Sequence, residues 1–357
     1  MSRCKDLINF PNNSSITSIS SLKVLCVEGK QNAKIKRITV SVIRKSALIC
    51  GVSGQDGSYL TQLLLGKGYE VWGTSRDAQG PNFGNLNQLG VLDRINFLSM
   101  EPADFRSVLV AVKKSNPDEI YYLAGQSSVG LSFEQPVETI QSVVIGTLNI
   151  LEACRMLGSN TRLYNAGSSE CFGDTQGKPA NEKTPFNPRS PYAIAKGTAF
   201  WLVKNYREAY GLFACTGLLF NHESKLRPER FVTQKIIQAA KRISAGSNEK
   251  LKLGRLDISR DWGWAPEYVE AMWRILQLDN PEDFVIATGE TITLECFCKH
   301  AFDILGLDWR QYVIQDESIY RPTDILVSRA DPAKAMARIG WVAEIKAREV
   351  VTEMMKE

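Results

Sequence analysis

A four-residue apolar run, Ala47-Leu48-Ile49-Cys50, passes straight into Gly51-Val52-Ser53-Gly54-Gln55-Asp56-Gly57 and then into an amphipathic stretch. No other feature narrows the choice of folds as much. A short apolar run ending in glycines is how a strand buried on both faces is written. Glycines three residues apart permit a tight turn, close approach of a phosphate, and close packing of the next helix on the strand. That helix is expected over Ser58 to Gly66, with Leu60, Leu63 and Leu64 on one face. Its first N–H groups and the positive end of its dipole suit a pyrophosphate. Such glycine spacing means little alone; the strand–turn–helix setting is what makes Gly51, Ser53, Gly54, Gln55, Asp56 and Gly57 a candidate dinucleotide-binding loop.

The alternation continues. Strands are expected at Glu70–Trp72, Glu119–Leu123 and Arg162–Ala166, with an amphipathic helix over Val143–Leu157 closed by Gly158. Another helix follows Pro191 and runs to about Tyr210, with Ser190 as N-cap, Pro191 at N1 and Gly211 just past the end. Repeated βα units imply a parallel sheet covered by helices on both faces. The expected fold is therefore α/β: a Rossmann-like doubly wound parallel sheet over residues 46–220, with a smaller C-terminal substrate-binding region over 221–357. Some segments of that second region return to the first.

Residues 1–45 stand apart. They hold nine of the chain's 43 Lys and Arg but two of its 39 Asp and Glu, which leaves 34 basic against 37 acidic residues in the remainder. The body therefore offers no basic nucleic-acid face. The segment reads as a disordered or targeting extension, dispensable for folding and catalysis. No apolar run approaches the roughly 20 residues that span a bilayer, so no membrane partner is expected. The eight cysteines are mostly scattered singly in a long chain, and His222 and His300 stand at no ligand spacing from paired cysteines. Reduced thiols, a cytoplasmic location and no metal site are the expectation.

Three groups carry chemistry. After the second strand, Arg76 suits a ribose 2′-phosphate that an acid would repel, so NADP is expected over NAD; Asp77 next to it argues the other way. Tyr192 and Lys196 are spaced i, i+4, one above the other on a helix face, so the ammonium should favour the phenolate and let Tyr192 exchange a proton with a substrate hydroxyl. The strand Arg162–Ala166 leads into Gly167-Ser168-Ser169-Glu170. At the carboxyl end of a parallel strand, Ser168 can hold the reacting oxygen and Glu170 can take a proton from carbon beside a carbonyl. A plain alcohol dehydrogenase has no use for that carboxylate.

From about Lys45 onward the chain resembles the GDP-mannose 4,6-dehydratases, extended members of the short-chain dehydrogenase superfamily. The resemblance is carried by Gly-Val-Ser-Gly-Gln-Asp-Gly-Ser-Tyr-Leu (51–60), Leu-Ala-Gly-Gln-Ser (123–127), Ser-Ser-Glu (168–170) and Pro-Arg-Ser-Pro-Tyr-Ala-Ile-Ala-Lys (188–196). Leu-Phe-Asn-His-Glu-Ser (219–224), Arg-Asp-Trp-Gly (260–263), Arg-Pro (321–322) and Ala-Asp-Pro-Ala-Lys-Ala (330–335) complete it. The resemblance implies conversion of GDP-mannose to GDP-4-keto-6-deoxymannose and water, with hydride carried internally from C4 to C6. Tyr192, assisted by Lys196 and Ser168, would serve the C4 oxidation; Glu170 would take the C5 proton. Leu123, Ala124, Gln126, His222 and Arg227 would line the NADP site, with Glu101 of Met100-Glu101 standing where the family meets the adenine. Asn221, Lys235, Arg260 and Arg321 would face the GDP part, where cations suit a diphosphate. A homo-oligomer, dimer or tetramer, is implied as well. Other readings are a dehydratase of GDP-manno-heptose, a reductase or epimerase of a GDP-sugar, and a non-catalytic cofactor sensor on the same fold.

Overall fold

The computed structural model describes residues 44–80, 83–158 and 160–356. Expectations about residues 1–43 lie outside the described residues. Lys45–Glu357 forms one compact unit.

Its centre is a seven-stranded parallel sheet. Strands β1 (Ser46–Cys50), β2 (Glu70–Ser75), β3 (Asn96–Ser99), β4 (Glu119–Tyr122), β5 (Arg162–Ala166) and β6 (Ala214–Leu219) are joined by Phe284–Ile286. The order across the sheet is Phe284–Ile286, β6, β5, β4, β1, β2, β3, and every neighbouring pair is parallel. The order reverses between β1 and β4, which opens a crevice at the carboxyl ends of those strands.

The two-residue period of a strand explains why these segments are apolar throughout. Ala47 and Ile49 of β1 and Tyr121 of β4 point to one face, against Leu60, Leu64, Tyr268 and Met272. Leu48, Cys50, Ile120 and Tyr122 point to the other, against Val108, Ile150 and Val203. Each large apolar side chain so buried contributes about 1.5–3 kcal/mol. A separate core gathers Ile236, Ile237, Trp262, Phe297, Phe302 and Val350. Above it lies a small sheet in which Asn221–Glu223 pairs parallel with Ser259–Trp264, and Ser259–Trp264 pairs antiparallel with Thr291–Thr293. The last strand of the main sheet thus comes from residues 284–286, beyond this small sheet in sequence.

Several boundaries differ from the sequence reading. The first helix begins at Gln55, because Gly54 serves as its N-cap without a side chain. The helix expected from Val143 begins at Pro136 and runs through to Leu157, with one π-turn at Gln141–Ile145. At 22 residues it is long and apolar enough to cross a membrane by length and composition, which the sequence reading denied to every segment. Here it packs as a covering helix, with Asn149, Ile150, Leu151 and Ala153 buried. The helix Pro191–Tyr210 has the expected ends: the Ser190 hydroxyl accepts from the Ala193 N–H, and Gly211 takes the left-handed conformation at φ 66°.

Candidate active site

One cleft of about 640 Å³ opens at the carboxyl ends of β1, β4, β5 and β6 and continues toward the small sheet. Its floor is the glycine loop. Gly51 turns the chain at φ +86°, a conformation L side chains rarely adopt, with its α-carbon against the backbone of Ala124. A Cβ on Gly57 would collide with the Gly51 carbonyl and the Val52 backbone, so only glycine lets the helix start this close to the strand. The Gly54 cap makes no side-chain hydrogen bond; the cradle and the bare helix N-terminus together fit a dinucleotide pyrophosphate. Leu123 and Ala124, leaving β4, form the opposing wall, and Ser53 and Asp56 lie on the floor.

The catalytic candidates converge on the same cleft. Ser168 follows β5 and caps the short helical turn Ser169–Phe172 by accepting from the Glu170 N–H at 3.2 Å. That turn places Glu170 on the cleft wall, half-buried. Tyr192 and Lys196, in the first two turns of Pro191–Tyr210, are both buried. Burial pushes the Tyr192 phenol up; a hydrogen bond with Ser168 and the Arg227 charge act against it. The Lys196 ammonium expected to favour the Tyr192 phenolate has its Nζ 5.8 Å from the Tyr192 ring centre and donates to the Ala166 carbonyl at 2.8 Å. Burial brings the Lys196 ammonium down to about 8. In this pocket desolvation outweighs the i, i+4 pairing that the sequence displays.

Beyond the reacting centre the cleft turns basic. Arg227, Lys235, Arg260 and Arg321 all line it, as does Asn221 on the small sheet. Arg260 is the most enclosed of these cations, at 4% exposure. Its Nη1 donates to the Ser259 carbonyl, while Nη2 lies 3.8 Å from Asp324 with no hydrogen-bond partner. A buried guanidinium nitrogen left unsatisfied in an open cleft is a place for an anionic oxygen. Arg227 pairs with Glu223 at 3.1 Å and stacks on Phe231, whose ring centre is 3.8 Å away. Lys235 donates to the Lys252 carbonyl at 2.7 Å.

Four expected cofactor residues sit differently. Gln55 lines the cleft, but its side chain is held within the protein: its amide donates to the His222 carbonyl at 3.1 Å and accepts from Ser224 at 2.8 Å. Gln126 does not line the cleft; its amide donates to Ser128 O in its own loop and to Thr139 Oγ1 of the helix that begins at Pro136. Arg76 and Glu101 are exposed beyond β2 and β3 and do not line the enclosed cleft. His222 does line it, but its ring is held by Asp56 at 2.9 Å and by the Phe220 carbonyl at 2.8 Å, stacked on Tyr268. Sequence reasoning missed Arg230, Arg255, Tyr320 and the apolar pair Leu253 and Leu294, which also line the cleft. Their segments carry no motif; only the fold brings them together.

Comparison with known proteins agrees with this geometry. The profile of the GDP-mannose 4,6 dehydratase family matches residues 48–354. The chain is 46% identical over 331 residues to GDP-mannose 4,6 dehydratase 2 of Arabidopsis thaliana, covering 89% of this chain and 88% of that one. It is 44% identical over 339 residues to GDP-mannose 4,6-dehydratase of Sinorhizobium fredii, covering 88% and 96%. Among solved structures, a UDP-glucose 4-epimerase of Thermus thermophilus in complex with NAD superposes at TM-score 0.74 with 25% identity, over 87% of this chain and 98% of that one. RMD from Pseudomonas aeruginosa, complexed with NADPH, shares the fold at TM-score 0.71 and 21% identity, over 88% and 97%. With the family profile spanning nearly the whole described body and relatives matched along most of their own length, the chain belongs to the GDP-mannose 4,6 dehydratase family.

Proposed function

We propose that the protein converts GDP-mannose to GDP-4-keto-6-deoxymannose and water, using a tightly held NADP. The observation that carries this reading is the meeting, in one cleft, of Ser168, Glu170, Tyr192 and Lys196 with the cations Arg227, Lys235, Arg260 and Arg321. A redox centre alone explains Tyr192 and Lys196; an elimination gives Glu170 its work, the cofactor gives Arg227 its work, and a diphosphate substrate gives Lys235, Arg260 and Arg321 theirs.

The bound dinucleotide supplies a hydride acceptor at the sugar C4 and the same hydride as donor at C6. The glycine loop would hold its pyrophosphate, and Arg76, exposed past the end of β2, would meet a 2′-phosphate. Ser168 orients the C4 hydroxyl and Tyr192 takes its proton. The resulting C4 ketone acidifies C5–H, and Glu170 removes that proton. Glu170, now an acid, protonates the departing C6 hydroxyl as water, and Tyr192 returns the proton it took to C5 as C6 is reduced, which leaves both residues as they began. Arg260 and its neighbours hold the diphosphate, so the sugar C4 stays at Tyr192 through every step.

The test is direct. Purified protein given GDP-mannose, with no reductant, should yield a GDP-linked 4-keto-6-deoxy sugar without net cofactor consumption. An unchanged GDP-mannose pool, or turnover that consumes cofactor one for one, would defeat the reading.

We further propose a cytoplasmic, homo-oligomeric enzyme. Five described cysteines are buried with thiols pushed up to about 12 by burial, which suits a reducing compartment. Ile194 and Trp201 are exposed on one face of Pro191–Tyr210, and Val137 is exposed on Pro136–Ile140, which packs against that helix; exposed apolar residues on these two helices favour a second copy against them. Sedimentation velocity that returns a monomer at micromolar concentration would overturn the oligomer.

A further inference from the structure

Tyr122, the last residue of β4, is 2% exposed and does not line the cleft. Its phenol donates to the Ser142 carbonyl at 3.0 Å, inside the π-turn Gln141–Ile145. The neighbouring Gly146 makes the room, because a Cβ there would collide with the phenol oxygen. A widened helical turn and an adjacent glycine thus form a slot for one hydroxyl. Such π-turns are rare inside α-helices and concentrate at functional places.

The same turn grips the residues that follow Tyr122. The Gln126 N–H donates to Ser142 Oγ at 3.3 Å. At Gly125 a Cβ would come within 3.0 Å of Val143 Cγ2. Leu123, Ala124 and Gly125, held between the sheet and the π-turn, are the cleft wall that faces the glycine loop. The two backbones are in contact, for a Cβ on Gly51 would reach to 3.0 Å from the Ala124 nitrogen.

We propose that Ser142 is a positioning residue for the bound dinucleotide: through its carbonyl, which accepts from Tyr122, and its Oγ, which accepts from the Gln126 N–H, it sets the distance between the Leu123–Gly125 wall and the glycine loop. Tyr122 touches no ligand; it acts through the wall. The inference rests on the reading that this cleft holds a nicotinamide dinucleotide.

Tyr122→Phe keeps the ring and removes only the hydroxyl, leaving a buried carbonyl short of a donor. In a fluorescence titration of the full chain with NADPH, the variant should bind about tenfold more weakly. Its kcat at saturating cofactor should stay within about twofold of wild type, because the reacting groups lie elsewhere. A lowered melting temperature with unchanged NADPH affinity would overturn the proposal and leave the bond an ordinary structural one. Should Tyr122→Phe fail to fold, Ser142→Ala, which removes the acceptor of the Gln126 N–H, should weaken NADPH by about threefold, and unchanged affinity there overturns it equally. If the wild-type chain itself bound neither NADPH nor NADH, the reading of the cleft would fall, and the proposal with it. That result differs from a wild type that binds and a variant that matches it.

Discussion

Nε2 of His222 lies 2.9 Å from Oδ2 of Asp56, and Nδ1 of the same ring lies 2.8 Å from the Phe220 carbonyl. A carbonyl only accepts, so Nδ1 carries hydrogen; an ionised carboxylate only accepts, so Nε2 carries one too. Below its raised titration point, His222 beside an ionised Asp56 is therefore an imidazolium. Burial disfavours both charges, but the pairing prevails: it holds Asp56 at about 2 and raises His222 above its ordinary value of 6.5. Arg227, nearby, pushes the His222 charge the other way, and Tyr268 stacks on the ring. The pair ties the glycine loop to the segment that carries Asn221, across 166 residues of sequence.

A stability–pH profile follows. Asp56 is depressed, so its contribution is complete above its ordinary 3.8 and is lost as pH falls toward about 2. His222 is raised, so its contribution is complete below 6.5 and is lost as pH rises through its elevated value. Asp56→Asn should cost about 3 kcal/mol at pH 6, the low end for a broken buried pair, since a fifth of the Asp56 side chain is open to solvent. Urea unfolding from pH 5 to 9 should show the alkaline decline in wild type and its absence in the variant. Parallel profiles would mean that the pair does not titrate as a unit.

Lys196 gives the chemistry its own alkaline limit. Its ammonium, brought down to about 8 by burial, becomes neutral as pH rises past that value. For the free enzyme kcat/KM should therefore decline above about pH 8. Lys196→Arg cannot deprotonate in this range. It should be slower overall yet show no decline between pH 8 and 9.5. A decline at the same pH in that variant would assign the limb to another group.

Cofactor choice should depend on Arg76, exposed at the end of β2 with Asp77 committed to capping the Gln79 N–H at 2.8 Å. Arg76→Ala should weaken NADP by at least about tenfold, the worth of a charge-assisted phosphate contact, and leave NAD nearly unchanged. Isothermal titration with each dinucleotide decides it; equal losses would remove Arg76 from the site.

The boundary of the folded body should fall just before Lys45, whose Nζ meets the buried Glu119 carboxylate at 3.1 Å. Glu119 also accepts from Tyr69, Tyr121 and Gln277. A chain beginning at Arg44 should keep full activity. One beginning at Ala47 should lose about 1–3 kcal/mol, because it strips Glu119 of its cation and the Asp118 carboxylate of the Ser46 N–H. Loss of solubility from the Arg44 start would show that the preceding segment packs on the body.

What was legible in the sequence is what local chemistry dictates. Ser190, Pro191 and Gly211 mark a helix by caps alone, and Gly51 to Gly57 mark a turn by sterics alone. Strand β6, Ala214–Leu219, escaped notice because Ala-Cys-Thr-Gly-Leu-Leu mixes small and polar residues; its burial comes from lying between β5 and Phe284–Ile286. The side-chain partners of Gln55 could not be read from the sequence, because His222 and Ser224 lie 167 and 169 residues away. The π-turn was invisible because the side chain it receives, Tyr122, comes from a strand 20 residues earlier. The spacing of Tyr192 and Lys196 was legible, but the burial that pushes the phenol up and the ammonium down comes from the fold.

The central claim is that Glu170 is the base of an elimination rather than a bystander to a simple oxidation. Glu170→Gln keeps the shape of the side chain and removes its basicity, while Ser168, Tyr192 and Lys196 stay in place. In single turnover with GDP-mannose, absorbance at 340 nm (the usual nicotinamide readout) should rise as C4 is oxidised and then stay high. Keto-deoxy product should form at least about 10²-fold more slowly than in wild type, the cost of a missing general base. Tyr192→Phe, by contrast, should show no rise at all. If Glu170→Gln released product at the wild-type rate, with solvent deuterium still entering C5, another group would hold that proton and the account of this site would be wrong.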